Sequence, residues 1–198
     1  RFEDATKSFE SATNIRPEFF QAFNLWGTAL YSMGQLEPAL DRFNKALELN
    51  PEFLGAWQNK EVALLELGRF EEALGVYDKQ IELNPEDPMT HFNKGIALRQ
   101  LKRLPDAVRS YDEALKLDPN MWEVWAEKGS ALYNLKNIDG AIGCYDKVIQ
   151  INPENEQAWN NKGSALYTQK KWDESVKCYD KALQVKPDFA EAWNNKGS

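Results

Sequence analysis

The chain has 198 residues, with 24 basic and 31 acidic side chains and a formal net charge of −7. This negative charge disfavours a nucleic-acid partner, because phosphate binding needs clustered Lys and Arg. Hydrophobic residues make up 42% of the chain, enough for a folded core. No apolar run reaches the roughly 18 residues that a membrane span needs. The sequence therefore predicts a folded protein that binds neither nucleic acid nor membrane.

A 34-residue repeat runs through the whole chain. The string Asn-Asn-Lys-Gly-Ser begins at Asn160 and again at Asn194, and prolines recur at the same interval. A period of 20 to 50 residues indicates stacked units that cannot bury their apolar faces alone. We expect a single repeat array over 1–198. Its opening partial repeat, five full repeats and closing partial repeat are 1–19, 20–53, 54–87, 88–121, 122–155, 156–189 and 190–198.

Each full repeat contains two predicted helices, and the partial repeats supply one each. Counting from the first residue of a repeat, the first helix covers positions 1 to about 14 and the second covers about 17 to 31. Residues 1–19 therefore hold a second helix, and 190–198 hold a first helix. In 156–189 the second helix has apolar residues at i, i+4, i+7, i+10 and i+11, namely Trp172, Val176, Tyr179, Ala182 and Leu183. A proline at position 32 ends the second helix of each full repeat.

The residue pattern of the repeat resembles the tetratricopeptide repeat. The pattern has Trp or Phe at position 4, Gly at 8, Ala at 20, Phe or Tyr at 24, Ala at 27 and Pro at 32. The resemblance covers the entire chain. It implies an all-α fold, a right-handed superhelical solenoid of antiparallel helix pairs whose first helices line a concave groove. It also implies a function in binding a protein or an extended peptide.

Residues that could carry catalysis or hold a metal are few. His91 is the only histidine, which leaves a catalytic triad or a His-rich metal site without candidates. Cys144 and Cys178 are 34 residues apart and so occupy equivalent positions of neighbouring repeats. Such positions should lie about 10 Å apart, beyond the ~7 Å limit for a disulfide, so we expect free thiols. We therefore predict no enzyme activity, no cofactor and no metal. The absence of a signal peptide and of a glycosylation motif favours a cytoplasmic location, although the chain begins at Arg1 and looks like a fragment.

The resemblance places the ligand-facing side chains at positions 2, 5, 6, 9, 12 and 13 of the first helices. The candidate groove residues chosen from these positions are Gln21, Asn24, Thr28, Tyr31, Asn59, Met89, Phe92, Asn93, Ile96, Arg99, Glu127, Tyr133, Gln157, Asn160, Asn161, Ser164, Tyr167, Asn194 and Asn195.

Position 6 carries a row of asparagines at 59, 93, 161 and 195. An amide both donates and accepts, so such a row can pair with the backbone of an extended peptide. The alternative is that these amides bond only to local backbone or water. Met89, Phe92 and Ile96 could form an apolar pocket beside Arg99 for one large ligand side chain.

Two other patterns point to structural pairs. Lysines recur at position 7 and aspartates at position 25, which predicts a ladder of ion pairs; a cationic stripe for an acidic ligand is the alternative. The repeat 54–87 has Glu61 at position 8 and Gln80 at position 27, where Gly and Ala are usual. Because both positions lie at close helix contacts, we predict a compensating interaction between Glu61 and Gln80.

The sequence thus favours a non-catalytic scaffold that binds a protein or peptide. One alternative is a targeting or substrate-recruiting segment of a larger enzyme, such as a glycosyltransferase. Another is head-to-tail self-association, because the closing first helix and the opening second helix together nearly rebuild one repeat.

Overall fold

The computed structural model describes residues 2–197, which form twelve α-helices and no strand. The helices form two interleaved series, and within each series they begin 34 residues apart. The first helices of the repeats are α2 (Phe20–Ser32), α4 (Leu54–Glu66), α6 (Pro88–Gln100), α8 (Trp122–Asn134), α10 (Glu156–Thr168) and α12 (Ala190–Lys196). The second helices are α1 (Phe2–Ile15), α3 (Leu36–Leu49), α5 (Phe70–Leu83), α7 (Leu104–Leu117), α9 (Ile138–Ile151) and α11 (Trp172–Val185).

The helices pack into two compact halves, one ending at Thr90 and the other beginning at His91. In the amino-terminal half each helix from α1 to α5 packs on the next, and α2 also contacts α4. The carboxyl-terminal half repeats this arrangement from α7 to α12, where α10 also contacts α12. Loops of three or four residues join the helices, so neighbours are antiparallel. The all-α solenoid of helix pairs expected from the sequence is confirmed.

Glycine at position 8 allows the two helices of a repeat to approach closely. A Cβ atom added to Gly27 would lie 2.5 Å from the ring of Phe43, and one added to Gly163 would lie 2.5 Å from the ring of Tyr179. Atoms at such distances overlap, so a larger residue would push the aromatic ring at position 24 out of its place. Glycine here therefore sets the spacing between first and second helix.

Tryptophan at position 4 connects four of the first helices to the loop before them. The indole Nε1 of Trp57, Trp125, Trp159 and Trp193 donates a hydrogen bond of 2.8 to 3.0 Å to the carbonyl oxygen of the proline six residues earlier. This bond satisfies the indole N–H while the ring packs on the neighbouring helices. The proline that ends one repeat thereby helps to orient the next.

The turn between the two helices of a repeat needs a left-handed residue at position 15. Gly34 and Gly68 supply it in the amino-terminal half, with φ of 73° and 70°. In the carboxyl-terminal half the same position is held by Lys102, Lys136 and Lys170, with φ of 61°, 63° and 61°. Glycine adopts this conformation without steric cost, whereas lysine adopts it at a steric cost.

Candidate functional site

Asparagines of successive repeats bond to each other in the amino-terminal half. Nδ2 of Asn59, at position 6, donates a hydrogen bond of 2.9 Å to Oδ1 of Asn24, at position 5 of the preceding repeat. Asn24 is only 9% exposed, whereas Asn59 is half-buried. The buried amide therefore fixes the orientation of the amide nearer the surface.

The same pair recurs in the carboxyl-terminal half. Nδ2 of Asn195 donates a hydrogen bond of 3.0 Å to Oδ1 of Asn160. Asn160 is 0% exposed, and its own Nδ2 donates to Oε1 of Glu191 at 2.9 Å. Both polar atoms of Asn160 are thus occupied, so this side chain supports the site and does not itself face a ligand.

The candidate asparagines at position 5 and at position 6 have different roles. Asn24 and Asn160, at position 5, are buried and hold their neighbours in place. Within residues 2–197, the side-chain oxygens of Asn59 and Asn195, at position 6, accept no hydrogen bond. An amide held through its nitrogen and open at its oxygen can accept a bond from the backbone N–H of a peptide.

Other polar residues of the first helices differ in how many hydrogen bonds they form within the protein. Gln157 donates from Nε2 to Oδ1 of Asn161 at 3.0 Å, so this oxygen is already paired. The hydroxyls of Thr28 and Ser164 bond back to the carbonyls of Asn24 and Asn160, at 3.0 and 3.2 Å. Three further predicted residues lie at the surface or near it: Gln21 and Asn194 are exposed and Asn93 is half-buried.

The region around Arg99 is charged and partly filled. Nε of Arg99 lies 3.1 Å from Oε2 of Glu127, and each side chain is about one-third exposed, at 35% and 34%. The ring of Phe92 packs on that of Tyr111, with centroids 6.0 Å apart, and Ile96 is half-buried. Met89 is 47% exposed and belongs to the other half. The Arg99 guanidinium already has a carboxylate partner, and Phe92 is half-buried against Tyr111.

Tyrosines at position 12 reach the following repeat. The hydroxyl of Tyr133 lies 3.1 Å from Oγ1 of Thr168, which is 35 residues further on. Tyr31 bonds in the same way to Glu66, and this hydrogen bond raises the pKa of the Tyr31 hydroxyl. Tyr167 remains 41% exposed and stacks edge-on against Trp172, with ring centroids 4.7 Å apart.

Two adjoining cavities lie beside Tyr167 in the carboxyl-terminal half. A cavity of about 230 Å³ is lined by four predicted residues, Tyr133, Ser164, Tyr167 and Asn195, and also by Thr168 and Tyr179. A second cavity of about 340 Å³ extends to Trp172. One repeat earlier the surface equivalent to this second cavity is covered, because Ala165 packs there against Tyr145. The smaller cavity therefore belongs to the first-helix surface, and the larger one to a surface on which repeats stack.

Three ion pairs of the ladder predicted between positions 7 and 25 are confirmed, all in the carboxyl-terminal half. Nζ of Lys128 and Lys162 lies 2.5 Å from Oδ1 of Asp112 and Asp146, and the Lys196–Asp180 distance is 2.7 Å. Each of these ammonium groups also lies 5.1 to 6.0 Å from the ring centroid of the tryptophan at position 4. These lysines link neighbouring repeats.

The compensating interaction predicted in the repeat 54–87 is confirmed as well. Nε2 of Gln80 donates a hydrogen bond of 2.9 Å to Oε2 of Glu61, and the two residues are 2% and 8% exposed. Burial, together with the nearby Glu61 carboxylate, raises the pKa of Tyr77 far above its ordinary value. The pair is structural, because it lies beneath the surface.

Several residues that shape this surface were absent from the predicted set. Glu191 accepts hydrogen bonds from Asn160 and Gln157, and Thr168 and Glu66 receive the tyrosines of position 12. All three occupy positions 2 or 13, which the family resemblance already assigns to the ligand-facing side. The signal that could have found them is a pair of polar residues separated by 31 to 35 positions.

Among the side chains of residues 4–197, no three His, Cys, Asp or Glu come together as metal ligands would. None of the described helices combines the length and apolar character needed to cross a membrane. Cys144 and Cys178 are buried free thiols, and burial raises the pKa of Cys144 to about 11.

Comparison with known families finds the tetratricopeptide repeat along most of the chain. One sequence model of this repeat matches residues 156–189, and a second matches 24–88, 60–121 and 92–156. Together these matches extend without a gap from residue 24 to residue 189. Among curated proteins no sequence match was found.

Solved structures with the same fold are similar over almost their whole length. The crystal structure of YrrB, described as a tetratricopeptide repeat protein with an unusual peptide-binding site, has a TM-score of 0.81 and 23% identity, and the match covers 98% of this chain and 100% of YrrB. A crystal structure of MamA has a TM-score of 0.80 and 20% identity, covering 88% and 96%. MamA from Desulfovibrio magneticus RS-1 has a TM-score of 0.76 and 17% identity, covering 86% and 97%.

Proposed function

Because the chain belongs to the tetratricopeptide repeat family, we propose that it is a non-catalytic scaffold that binds an extended peptide segment of a partner protein. The family generally serves protein interaction, and YrrB, which shares the fold, is described as having a peptide-binding site. In each half the first-helix face, meaning positions 2, 5, 6, 9, 12 and 13 of the first helices, would carry the contact.

The observation that carries this proposal is the pair of oriented amides. Asn59 and Asn195 are each held by a buried asparagine of the preceding repeat and leave a side-chain oxygen open. Their side-chain freedom is already restricted, so binding costs little additional entropy. Contacts of this kind bind the backbone of a peptide and do not depend on its side chains. Recognition of the peptide sequence would therefore depend on neighbouring side chains such as Tyr133 and Tyr167.

The proposal is tested by screening a peptide array with the wild-type chain and with single alanine variants. Asn59→Ala and Asn195→Ala should each lower the affinity for the selected peptides by about fivefold, since one hydrogen bond contributes on the order of 1 kcal/mol. Asn14→Ala serves as the matched control, because Asn14 is an exposed asparagine on a second helix. Equal binding by all three variants would show that the first-helix face is not the site.

A second candidate function, head-to-tail self-association, is favoured by exposed apolar side chains on α11 and α12. Trp172, Val176 and Trp193 are 50%, 39% and 55% exposed. The surface equivalent to Trp172 and Val176 one repeat earlier is covered by the following repeat. Light scattering over a concentration series tests this candidate, and a Trp193→Gln variant should lower the apparent mass. A constant monomer mass at every concentration would exclude it.

A further inference from the structure

The left-handed turn residue at position 15 changes from glycine to lysine between the two halves. Gly34 and Gly68 adopt this conformation without strain, whereas Lys102, Lys136 and Lys170 adopt it against the steric preference of an L-residue. A strained backbone conformation kept at three successive repeats points to a role for the side chain that occupies it.

The three side chains form a row of available cations, here called the lysine row. All three are exposed, and within residues 2–197 none of their ammonium groups forms an ion pair or hydrogen bond. They differ in this from Lys128, Lys162 and Lys196 at position 7, whose ammonium groups lie 2.5 to 2.7 Å from aspartates. The lysine row therefore contributes charge to the surface and no bond to the fold.

The lysine row borders the first-helix face of the carboxyl-terminal half. Lys136 follows Tyr133 by three residues, and Lys170 follows Thr168 by two. The hydroxyls of Tyr133 and Thr168 lie 3.1 Å apart and mark the end of that face. A peptide that crosses the face would reach the row at its edge.

The spacing of the row defines the conformation of a matching partner. First helices of successive repeats contact each other, as α10 and α12 do. Because helices in contact lie about 8 to 10 Å apart, we expect equivalent turns of successive repeats to be separated by roughly that distance. A polyproline II helix advances about 3.1 Å per residue with three residues per turn, so every third side chain faces the same way at intervals of about 9 Å. An acidic residue at every third position would meet one lysine after another.

We propose that the lysine row binds an acidic peptide segment in the polyproline II conformation, with Asp or Glu at every third residue. This proposal rests on the proposed function and names the chemistry of the peptide. The net charge of −7 repels an extended anionic surface such as a membrane, whereas a short peptide experiences mainly the charges within a Debye length of the row.

The test measures fluorescence anisotropy of a labelled peptide with four Glu-Pro-Pro triplets at an ionic strength of about 0.15 M, where the Debye length is about 8 Å. The triple variant Lys102→Gly, Lys136→Gly, Lys170→Gly should bind about tenfold more weakly, since each exposed ion pair contributes modestly. The same variant should melt a few degrees higher, because glycine relieves the strain. The triple variant with arginine at all three positions should retain binding.

Two matched controls separate the row from net charge. The triple variant Lys147→Gln, Lys177→Gln, Lys181→Gln also changes the net charge from −7 to −10, but on exposed second-helix positions. It should bind like the wild type. A peptide with four consecutive Glu followed by eight Pro has the same composition and should bind more weakly than the spaced peptide.

Several results would overturn the proposal. These are equal binding by the glycine variant, equal weakening by the glutamine control, equal affinity of the block peptide, or displacement of the peptide by vesicles of anionic lipid. Because the probe peptide is defined in advance, these outcomes are independent of the Asn59 and Asn195 variants. If the lysine-row proposal fails, the proposal that the first-helix face binds a peptide is not contradicted and is tested by the Asn59 and Asn195 variants.

Discussion

Gln80 donates a hydrogen bond of 2.9 Å to Glu61 in the interior of the repeat 54–87. The two residues replace the glycine and alanine that occupy the same positions in most other repeats. A carboxylate at a close helix contact needs a donor, because an unpaired buried polar group is strongly unfavourable. The two departures from the pattern therefore form one structural unit.

Replacing Gln80, the hydrogen-bond donor, should show how far stability depends on its bond to Glu61. We expect Gln80→Leu to lower the free energy of unfolding by about 1 to 3 kcal/mol, because Glu61 loses its amide partner inside the protein. Urea denaturation followed by circular dichroism measures the change. Gln58→Leu is the matched control, since Gln58 is exposed on α4, and it should change stability by no more than about 0.5 kcal/mol. Unchanged stability of Gln80→Leu would contradict the pairing.

This pair shows why part of the structure could be predicted from the sequence. Glu61 and Gln80 depart from a pattern that most other repeats share, so their contact could be predicted from the register alone. The Lys162–Asp146 pair follows in the same way. The helices could be predicted because apolar spacing, proline and glycine all recur at 34 residues.

The different roles of the asparagines at positions 5 and 6 could not be predicted in this way. Whether Asn160 or Asn195 faces a ligand depends on how far one first helix is rotated against the next, and a repeat length does not contain that angle. Only the structure shows that Asn160 is buried and that Asn195 reaches it. Likewise, the sequence does not show that Lys136 occupies a left-handed backbone conformation.

Glycine substitutions should have opposite effects at two kinds of helical site. We expect Gly163→Ala to lower the free energy of unfolding by about 1 to 3 kcal/mol, because the added methyl group would overlap the ring of Tyr179. Gly143→Ala should raise stability by about 1 kcal/mol, since Gly143 is helical and no atom lies within 4 Å of an added Cβ. Thermal and urea unfolding of both variants measure the difference. A stabilising Gly163→Ala would show that the aromatic ring moves freely.

Alkaline pH should destabilise the native state through buried acidic protons. Burial raises the pKa of Cys144 from 9.0 to about 11 and that of Tyr111 from 10.0 to about 12. The unfolded chain loses these protons first, so between about pH 9 and 12 the native state binds more protons and stability falls as pH rises. Below about pH 8 this contribution is present in full.

Urea denaturation at a series of pH values measures this loss. A Cys144→Ala variant should lose stability less steeply between about pH 9 and 11, by roughly 1 to 3 kcal/mol over that range, because one titrating group is removed. The thiol should also react slowly with alkylating reagents in the native state, since the thiolate is the reactive form. A pH profile identical to that of the wild-type chain would contradict the assignment to Cys144.

The different roles of Asn160 and Asn195 should be visible in stability measurements. Asn160→Ala removes a fully buried amide that bonds both Asn195 and Glu191, so we expect the free energy of unfolding to fall by about 1 to 3 kcal/mol. Asn195→Ala removes a residue nearer the surface and leaves the oxygen of Asn160 without a donor. Its cost should be smaller, on the order of 1 kcal/mol, while peptide binding falls. A double-mutant cycle on the two residues gives their coupling energy, and a value near zero would mean that Asn160 does not orient Asn195.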